Sequence, residues 1–253
     1  MLRFGDIVFG PIRSRRLGSS LGINLLPTDG KLCNFDCIYC ECGWNRDGRT
    51  AFPKLPTAAQ VQDALEAKLK ECAANSVHID SITFSGNGEP TLHPEFPEII
   101  DRTVAVRDSY CPGAPVSVLS NASRLSDEGV FRALRKIENP ILKIDAADDE
   151  GIRFINRPAG DYSLEDTVKR MKEFGGRFIL QTMFLRTEGF DSASAGPLGK
   201  WMDMVREVKP EKLMVYTVDR ETPQKGLGKL TVAEMERLVA PLVAEGYDIQ
   251  ING

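Results

Sequence analysis

The sequence predicts an α/β protein: a partial (βα)6 barrel, TIM-like in the order of its elements, with parallel strands. Seven short runs rich in Val, Ile, Leu and Phe have the length and composition of buried strands. Stretches with apolar residues at helical spacing lie between them. Because strand and helix alternate, the strands are expected to be parallel and joined by right-handed crossovers. The runs begin near Leu21, Ile79, Val116, Ile141, Arg177, Lys212 and Tyr247.

The spacing of these elements supports the same architecture. Except for the first interval, successive strands start roughly 30 residues apart, the size of a strand–helix–strand unit. The first interval is longer and contains a cysteine-rich loop at about residues 30–50, which indicates a functional insertion. The clearest helical positions are Val61, Leu65 and Leu69, then Val130, Leu134 and Ile137, then Met235, Leu238, Val239 and Leu242.

The number of elements favours an open barrel over a closed one. A closed (βα)8 barrel also occupies about 250 residues, but this chain of 253 residues offers six βα units and a terminal strand. No Pro-, Gly- or Ser-rich linker divides the chain, so residues 1–253 are predicted to form a single domain. Loops converge at the C-terminal ends of parallel strands, and function is expected there.

Net charge and the lengths of the apolar runs disfavour two classes of protein, non-specific nucleic-acid binders and membrane proteins. A formal net charge of -4 disfavours a non-specific nucleic-acid binder. Arg13, Arg15 and Arg16 nevertheless form a basic cluster, which is either a patch for a partner or a solvated loop. No apolar run approaches the roughly 18 residues of a membrane span, and the N-terminus has no secretory pattern. We therefore expect a cytoplasmic protein with no membrane partner.

Three of the six cysteines, Cys33, Cys37 and Cys40, lie within eight residues in the long first loop. In a reducing compartment such spacing indicates a metal site rather than a disulfide framework. A structural zinc site completed by Cys42 is one alternative, although zinc normally gathers cysteine pairs from two separate loops. Closely spaced thiolates alone fit an iron–sulfur cluster better.

The spacing of these cysteines resembles the CxxxCxxC motif of the radical S-adenosylmethionine (SAM) superfamily, with the aromatic Tyr39 before the last cysteine. The resemblance implies a 4Fe–4S cluster on the three cysteines and SAM on the iron that has no protein ligand. It also implies reductive cleavage of SAM to an organic radical, with Tyr39 near the cluster and the adenine. The cofactor supplies the difficult chemistry and the protein supplies binding and orientation.

Two further segments match this family in position. Gly86, Gly88 and Glu89 at the end of the second predicted strand resemble its glycine-rich glutamate motif, in which the carboxylate holds the amino group of SAM. A purely structural glycine turn is the alternative. Ser120 and Asn121 follow the third predicted strand. They are either contacts to SAM or an N-cap of the next helix.

Later strands carry the remaining candidates. Lys143 and Asp145 alternate along the fourth predicted strand and so share one face, where they either line the barrel or form a structural ion pair. By resemblance, Asn156 and Gln181 are expected to contact SAM, with a surface loop and a satisfied core amide as the alternatives. The expected contacts to substrate after the sixth strand are Tyr216, which could instead be a core residue, and Arg220.

The substrate is left open by the sequence. The segment from Ser14 to Gly22 resembles Fe–S oxidoreductases related to the wyosine tRNA-base synthases, whose second cysteine cluster has no counterpart here. The compact length also resembles activating enzymes that form a radical on a protein partner. Three hypotheses follow: an enzyme acting on a nucleotide or small molecule, an enzyme acting on a protein, or an electron-transfer module. An RNA substrate stays open, and a flavodoxin or ferredoxin is the expected electron donor.

Overall fold

A computed structural model describes residues 4–14, 17–47 and 54–253. Eight strands form one sheet in the order of the sequence. The seven strands from β2 to β8 are parallel to their neighbours, and β1 pairs with β2 in the antiparallel direction. The predicted partial barrel is confirmed. The strands are β1 Val8–Ser14, β2 Gly18–Ile23, β3 Ser81–Phe84, β4 Val116–Ser120, β5 Asn139–Lys143, β6 Ile179–Phe184, β7 Lys212–Thr217 and β8 Ile249–Asn252.

Helices connect the parallel strands and cover the outside of the sheet. Two of them begin with a capping box, at Thr57 with Gln60 and at Thr231 with Glu234, in which side chains satisfy the free N–H groups of the first turn. None of the helices in the described ranges is long and apolar enough to cross a membrane. The helices are α1 Ala58–Ala74, α2 Phe96–Tyr110, α3 Glu128–Leu134, α4 Asp149–Ile155, α5 Leu164–Lys172, α6 Ala195–Val208 and α7 Val232–Ala244.

The structure differs from the sequence prediction in three details. The edge strand β1 was not predicted, because its Gly10–Pro11 pair is unfavourable in a sheet interior and is tolerated at an edge. The helix α3 ends at Leu134, so Ile137 lies beyond it, although that side chain is buried. The cysteine loop therefore follows the second observed strand rather than the first, and its residues 48–50 lie outside the described ranges.

The inner face of the sheet is lined differently on its two sides. On β2 and β3 it carries small residues, including Ser20, Gly22 and Thr83, and the hydroxyls of Ser20 and Thr83 lie 2.7 Å apart. On β5, β6 and β7 the apolar side chains of Ile141, Ile179 and Met214 form a separate cluster inside the barrel. Above this floor the small residues leave room for a cavity of about 600 Å³.

Candidate functional site

The cysteine loop is held against the C-terminal ends of neighbouring elements by backbone hydrogen bonds. Leu32 N–H donates to Asn87 O after β3 at 2.9 Å, and Ile38 N–H donates to Ile155 O at the end of α4 at 2.9 Å. Within the loop, Gly43 N–H donates to Cys40 O. The loop is thus fixed where the strand ends converge, as the sequence predicted.

The three predicted cluster ligands are free cysteines whose sulfurs face hydrogen-bond donors. Cys37 is buried, and Cys33 and Cys40 are half-buried. The backbone N–H of Phe35 lies 3.4 Å from Cys33 Sγ, and Asn156 Nδ2 lies 3.3 Å from Cys37 Sγ. N–H groups directed at sulfur stabilise thiolate ligands and tune an iron–sulfur cluster. The surroundings of the cysteines therefore fit a thiolate-ligated cluster.

A single metal ion would require a different arrangement of the ligands. Its ligands converge to within about 2.3 Å of one point, whereas a cluster binds each thiolate at a different iron. Across residues 4–14, 17–47 and 54–253, no three His, Cys, Asp or Glu side chains lie together in an arrangement suited to one ion. The fit to a cluster rests on the three free thiols and the donors around them.

Cys42 lies beside Cys40 but faces the glycine-rich segment. Its thiol donates to Gly86 O at 3.3 Å. Interaction with Cys42 lowers the pKa of Cys40 to about 5, while the same interaction raises the pKa of Cys42. Burial raises the pKa of the third nearby thiol, Cys33, to about 12. The structure thus gives Cys40 the thiolate character and Cys42 the role of donor.

Lys31 is an unpredicted feature of this loop. Its side chain is only 1 % exposed. The ammonium donates to Gly43 O at 3.2 Å and to Asp36 Oδ1 at 3.3 Å. Burial alone would lower the pKa of Lys31, but the charges that the cluster cysteines and Asp36 carry when ionised outweigh burial and raise that pKa. The ammonium of Lys31 therefore lies within the loop that carries the cysteines.

Lys143, Asp145, Tyr39 and Asn156 form one buried group beside Cys37. Lys143 Nζ lies 3.0 Å from Asp145 Oδ2, and the Tyr39 hydroxyl accepts from Lys143 and donates to Asp145. Asn156 Nδ2 donates to Asp145 Oδ2 at 2.6 Å. Lys143 also lies 3.6 Å from Cys37 Sγ. Lys143 and Asp145 do share a face, and they form an ion pair that touches the cluster loop.

The glycines of the predicted SAM motif are required by the chain itself. Gly86 and Gly88 have φ angles of 152° and 139°. A Cβ atom on Gly86 would lie 2.3 Å from Asn24 Oδ1, and one on Gly88 would lie 1.9 Å from Leu32 O. Both glycines line the cavity. The backbone therefore requires glycine at both positions, and both glycines also lie at the cavity.

Glu89 is almost completely buried, with 2 % exposure. Its Oε1 accepts from Thr91 and from Ser120 Oγ, and its Oε2 accepts from Asn121 N–H at 2.7 Å. Burial raises its pKa, and these hydrogen bonds oppose that rise. Because a carboxylate oxygen has two lone pairs, Oε2 keeps one acceptor position beyond Asn121.

Ser120 and Asn121 are part of this network and do not cap a helix. The N-cap of α3 is Asp127, which accepts from Gly129 and Val130. The N-cap alternative for Ser120 and Asn121 is therefore wrong. Asn121 Nδ2 instead donates to Asn34 Oδ1 at 2.9 Å in the cysteine loop.

The cavity brings together only some of the predicted residues. Glu89, Ser120, Asn121, Lys143, Asp145 and Asn156 do not line it, and neither do Cys33 and Cys37. Of these, Lys143, Asp145 and Asn156 are linked to the cavity through the hydroxyl of Tyr39. The predicted residues in its wall are Tyr39, Cys40, Gly86, Gly88, Gln181, Tyr216 and Arg220.

The wall formed by β6 to β8 contains amides without partners. Gln181 Nε2 and Asn252 Nδ2 are buried and make no hydrogen bond in the described part of the chain. The alternative of a satisfied core amide is thus wrong for Gln181. Asn252 was not predicted, since one amide in a terminal strand carries no sequence signal. At the opening, Arg220 pairs with Glu41 at 2.5 Å.

Arg13 also lines the cavity, from the exposed part of β1, and Arg15 and Arg16 of the predicted basic cluster lie outside the described residues. Lys31 was missed because a lysine two residues before Cys33 looks like an ordinary solvated charge. Its burial depends on the path of the loop, which the sequence pattern does not reveal.

Comparison with known proteins places this site in a family. The profile of the Radical SAM superfamily matches residues 29–193. "GTPase Obg" of Brachyspira hyodysenteriae is 29 % identical over 234 residues, which are 91 % of this chain and 32 % of that protein. "UPF0026 protein MJ1312" of Methanocaldococcus jannaschii is 28 % identical over 92 % of this chain and 70 % of the relative.

Solved structures show the same fold. SuiB of Streptococcus suis bound to S-adenosylmethionine aligns with a TM-score of 0.63 and 16 % identity, over 89 % of this chain and 49 % of SuiB. Archaeal TYW1 aligns with a TM-score of 0.53 and 14 % identity, over 90 % of this chain and 72 % of that chain. The chain thus spans about a third of the Brachyspira protein and about half of SuiB. It belongs to the radical SAM superfamily, whose cofactors are a 4Fe–4S cluster and SAM.

Proposed function

We propose that this chain is an oxidoreductase-type radical SAM enzyme that acts on a small molecule or nucleotide bound in the cavity. When bound, the cluster and SAM would supply the chemistry of hydrogen-atom abstraction by a 5′-deoxyadenosyl radical. The observation that carries the proposal is a cavity of about 600 Å³ whose wall includes Tyr39 and Cys40 from the cysteine loop. This volume lies within the range of about 300–1,000 Å³ typical of small-molecule sites.

The residues around the cysteine loop would hold the cofactors. Cys33, Cys37 and Cys40 would ligate the cluster, and the free acceptor position of Glu89 Oε2 would receive the ammonium group of SAM. Ser120 and Asn121 fix the orientation of that carboxylate by hydrogen bonds. Because these contacts exist without any ligand, the carboxylate is already oriented before SAM binds.

The opposite wall would bind the substrate. Asn252 Nδ2 has no partner among the described residues, Tyr216 lies beside it on β7, and Arg13 reaches the cavity from β1. Burying a polar group without a hydrogen bond costs stability, so a ligand that supplies an acceptor to Asn252 would remove that cost. Apolar neighbours such as Ile12 and Leu17 suit the body of an organic substrate.

A nucleotide or RNA substrate is supported by the resemblance of residues 14–22 to the wyosine enzymes and by the fold shared with archaeal TYW1. Transfer of the same reaction is opposed by the cysteines. Besides the cluster ligands the sequence has only Cys42, Cys72 and Cys111. Cys42 faces the cavity, whereas Cys72 lies on α1 and Cys111 at the end of α2.

The proposal is tested by anaerobic reconstitution with iron and sulfide, followed by addition of dithionite and SAM. We expect 5′-deoxyadenosine, detected by mass spectrometry. A fully loaded cluster without 5′-deoxyadenosine would favour the electron-transfer module. Flavodoxin or ferredoxin in place of dithionite tests the proposed cytoplasmic electron donors.

Substrate class is tested by adding the small-molecule, protein and RNA fractions of a cell extract separately. Stimulation of 5′-deoxyadenosine formation by the small-molecule filtrate would support the cavity proposal. Stimulation by the protein fraction alone would favour a protein substrate docked at the opening, and stimulation by the RNA fraction alone an RNA substrate.

A further inference from the structure

Lys31 is the one charged residue among the largest fully buried side chains of the described residues, and it lies at the base of the cysteine loop. Its ammonium contacts Asp36, between Cys33 and Cys37, and Gly43, which follows Cys42. It therefore links the beginning, middle and end of the segment that carries the cluster ligands. A buried ammonium is costly unless it is paired, so its position requires an explanation.

The carboxylate of Asp36 does not fully explain why the ammonium of Lys31 is buried. The Asp36 side chain is 28 % exposed, lies 3.3 Å from Lys31, and also accepts from Asn45 N–H at 2.8 Å. The segment between its two contacts, from Asp36 to Gly43, contains Cys37 and Cys40, two of the predicted cluster ligands. The ammonium is thus held against the loop that carries these ligands, and its only ion-pair partner among the described residues is a partly solvated carboxylate.

Lys143, the second cation beside the cysteines, differs in this respect. It pairs at 3.0 Å with Asp145, whose side chain is fully buried, and the two charges cancel locally. Lys31 is therefore the better source of a net positive potential at the cluster, because its partner is partly exposed to water, which screens the partner's charge.

We infer that Lys31 is a positioning residue whose charge raises the reduction potential of the cluster held by Cys33, Cys37 and Cys40. In the step concerned, one electron passes from a low-potential donor to the cluster, the donor is oxidised, and no bond forms or breaks. Reduction adds one negative charge beside the buried ammonium, which stabilises the reduced form. Net charge is one of the factors that set the potentials of iron–sulfur clusters. The inference rests on the proposed cluster but not on SAM cleavage.

The test is a potentiometric titration of the reconstituted cluster, followed by electron paramagnetic resonance in the absence of SAM and substrate. Lys31→Gln removes the charge and keeps a donor for Gly43 or Asp36. We expect its reduced-to-oxidised ratio at a fixed potential to fall at least tenfold, which is about 59 mV for one electron. Lys200→Gln is the matched control, because Lys200 pairs with Asp148 on the surface, and its potential should equal that of the wild type.

An unchanged potential in a fully loaded Lys31→Gln protein would overturn the inference and leave Lys31 as a structural clamp. If that variant does not retain iron, Lys31→Arg decides the question, because it keeps the charge and disturbs the clamp. A wild-type potential in Lys31→Arg supports the role of the charge, and a tenfold or larger fall contradicts it. Absence of a cluster from the wild type would refute the proposed function instead.

Discussion

Polar groups on the two sides of the site differ in how their hydrogen bonds are satisfied. On the side of β2 to β5, Glu89 and Asn24 do not line the cavity, and both are hydrogen-bonded: Glu89 accepts from several donors, and Asn24 donates to and accepts from its neighbours. On the side of β6 to β8, Gln181 and Asn252 line the cavity, and each has a buried amide nitrogen without a partner among the described residues, whereas the buried atoms without such a partner near the cysteine loop are the amide oxygens of Asn45 and Asn156. Both sides belong to the same sheet, so the difference lies in the side chains rather than in the fold.

This difference indicates that the two sides bind different ligands. A site for a constant cofactor gains from groups that are already oriented, because less ordering is required on binding. Unsatisfied polar groups are costly until a ligand pairs with them, and they reject ligands that cannot. We therefore interpret the side of β2 to β5 as the cofactor side and the cavity wall of β6 to β8 as the substrate wall, and the following variants test that contrast.

The largest effect is expected from Cys37→Ala. Cys37 is buried and its sulfur accepts from Asn156, so loss of this ligand should abolish the cluster and SAM cleavage. Iron and sulfide analysis after anaerobic reconstitution measures it, with about four of each expected in the wild type.

Controls for this experiment are available in the same chain. Cys72→Ala and Cys111→Ala should retain the cluster. Cys42→Ser should also retain it, because a serine hydroxyl can still donate to Gly86 O, and SAM cleavage should continue. Stoichiometric zinc in place of iron in the wild type would contradict the assignment of the three cysteines.

The cluster loop shows which parts of the site could be predicted from sequence. The spacing of Cys33, Cys37 and Cys40 is local, and so it could be recognised without a structure. The alternation of strand and helix likewise predicted seven parallel strands, while β1 was missed because Gly10 and Pro11 conceal an edge strand. Local patterns with strong periodicity are therefore the predictable part of this fold.

Contacts between distant segments were not predictable. Nothing in the sequence reveals that Glu89 accepts from Asn121, or that Asn156 reaches both Cys37 and Asp145. The exposure of Lys31 and Asn252 likewise depends on how loops and strands meet. Which side chains meet across the sheet can be determined only from the tertiary structure, even where the residue types suggest a functional site.

The second largest effect is expected from Asp145→Asn. Asp145 is buried and accepts from Lys143, Asn156 and the backbone of Met183. The substitution preserves volume but leaves the Lys143 ammonium without its counter-charge, which typically costs about 3–5 kcal/mol. Urea unfolding of the cluster-free protein measures the loss.

Glu207→Gln is the control for this prediction. Glu207 pairs with Lys172, and both side chains are about half exposed, so its effect should lie within about 1 kcal/mol. Equal losses in the two variants would show that the buried group beside Cys37 does not stabilise the fold through its charge pair.

Glu89→Gln should weaken SAM binding by about ten- to a hundredfold, since a charge-assisted hydrogen bond contributes on the order of 1.5–3 kcal/mol. Iron content should not change. Burial raises the pKa of Glu89, so lowering the pH through that raised pKa protonates the carboxylate and should lower the wild-type affinity. The Gln variant should show no such dependence. Calorimetric titration with SAM measures both affinities at each pH. If the affinities of the two proteins depend on pH in the same way, Glu89 does not bind SAM.

The smallest effect on stability is expected from Asn252→Ala, and it tests the substrate wall directly. Because Asn252 Nδ2 has no partner in the described residues, removing it breaks no hydrogen bond, and the free energy of unfolding should change by no more than about 0.5 kcal/mol. Asn24→Ala is the matched control on the side of β2 to β5. It leaves the backbone N–H groups of Leu26 and Asn87 without their acceptor, which should cost about 1–3 kcal/mol.

SAM affinity should be unchanged in Asn252→Ala, whereas KM for the substrate should rise about tenfold if the amide of Asn252 binds the substrate. Equal destabilisation by the two variants would show that the two sides do not differ in the way their hydrogen bonds indicate.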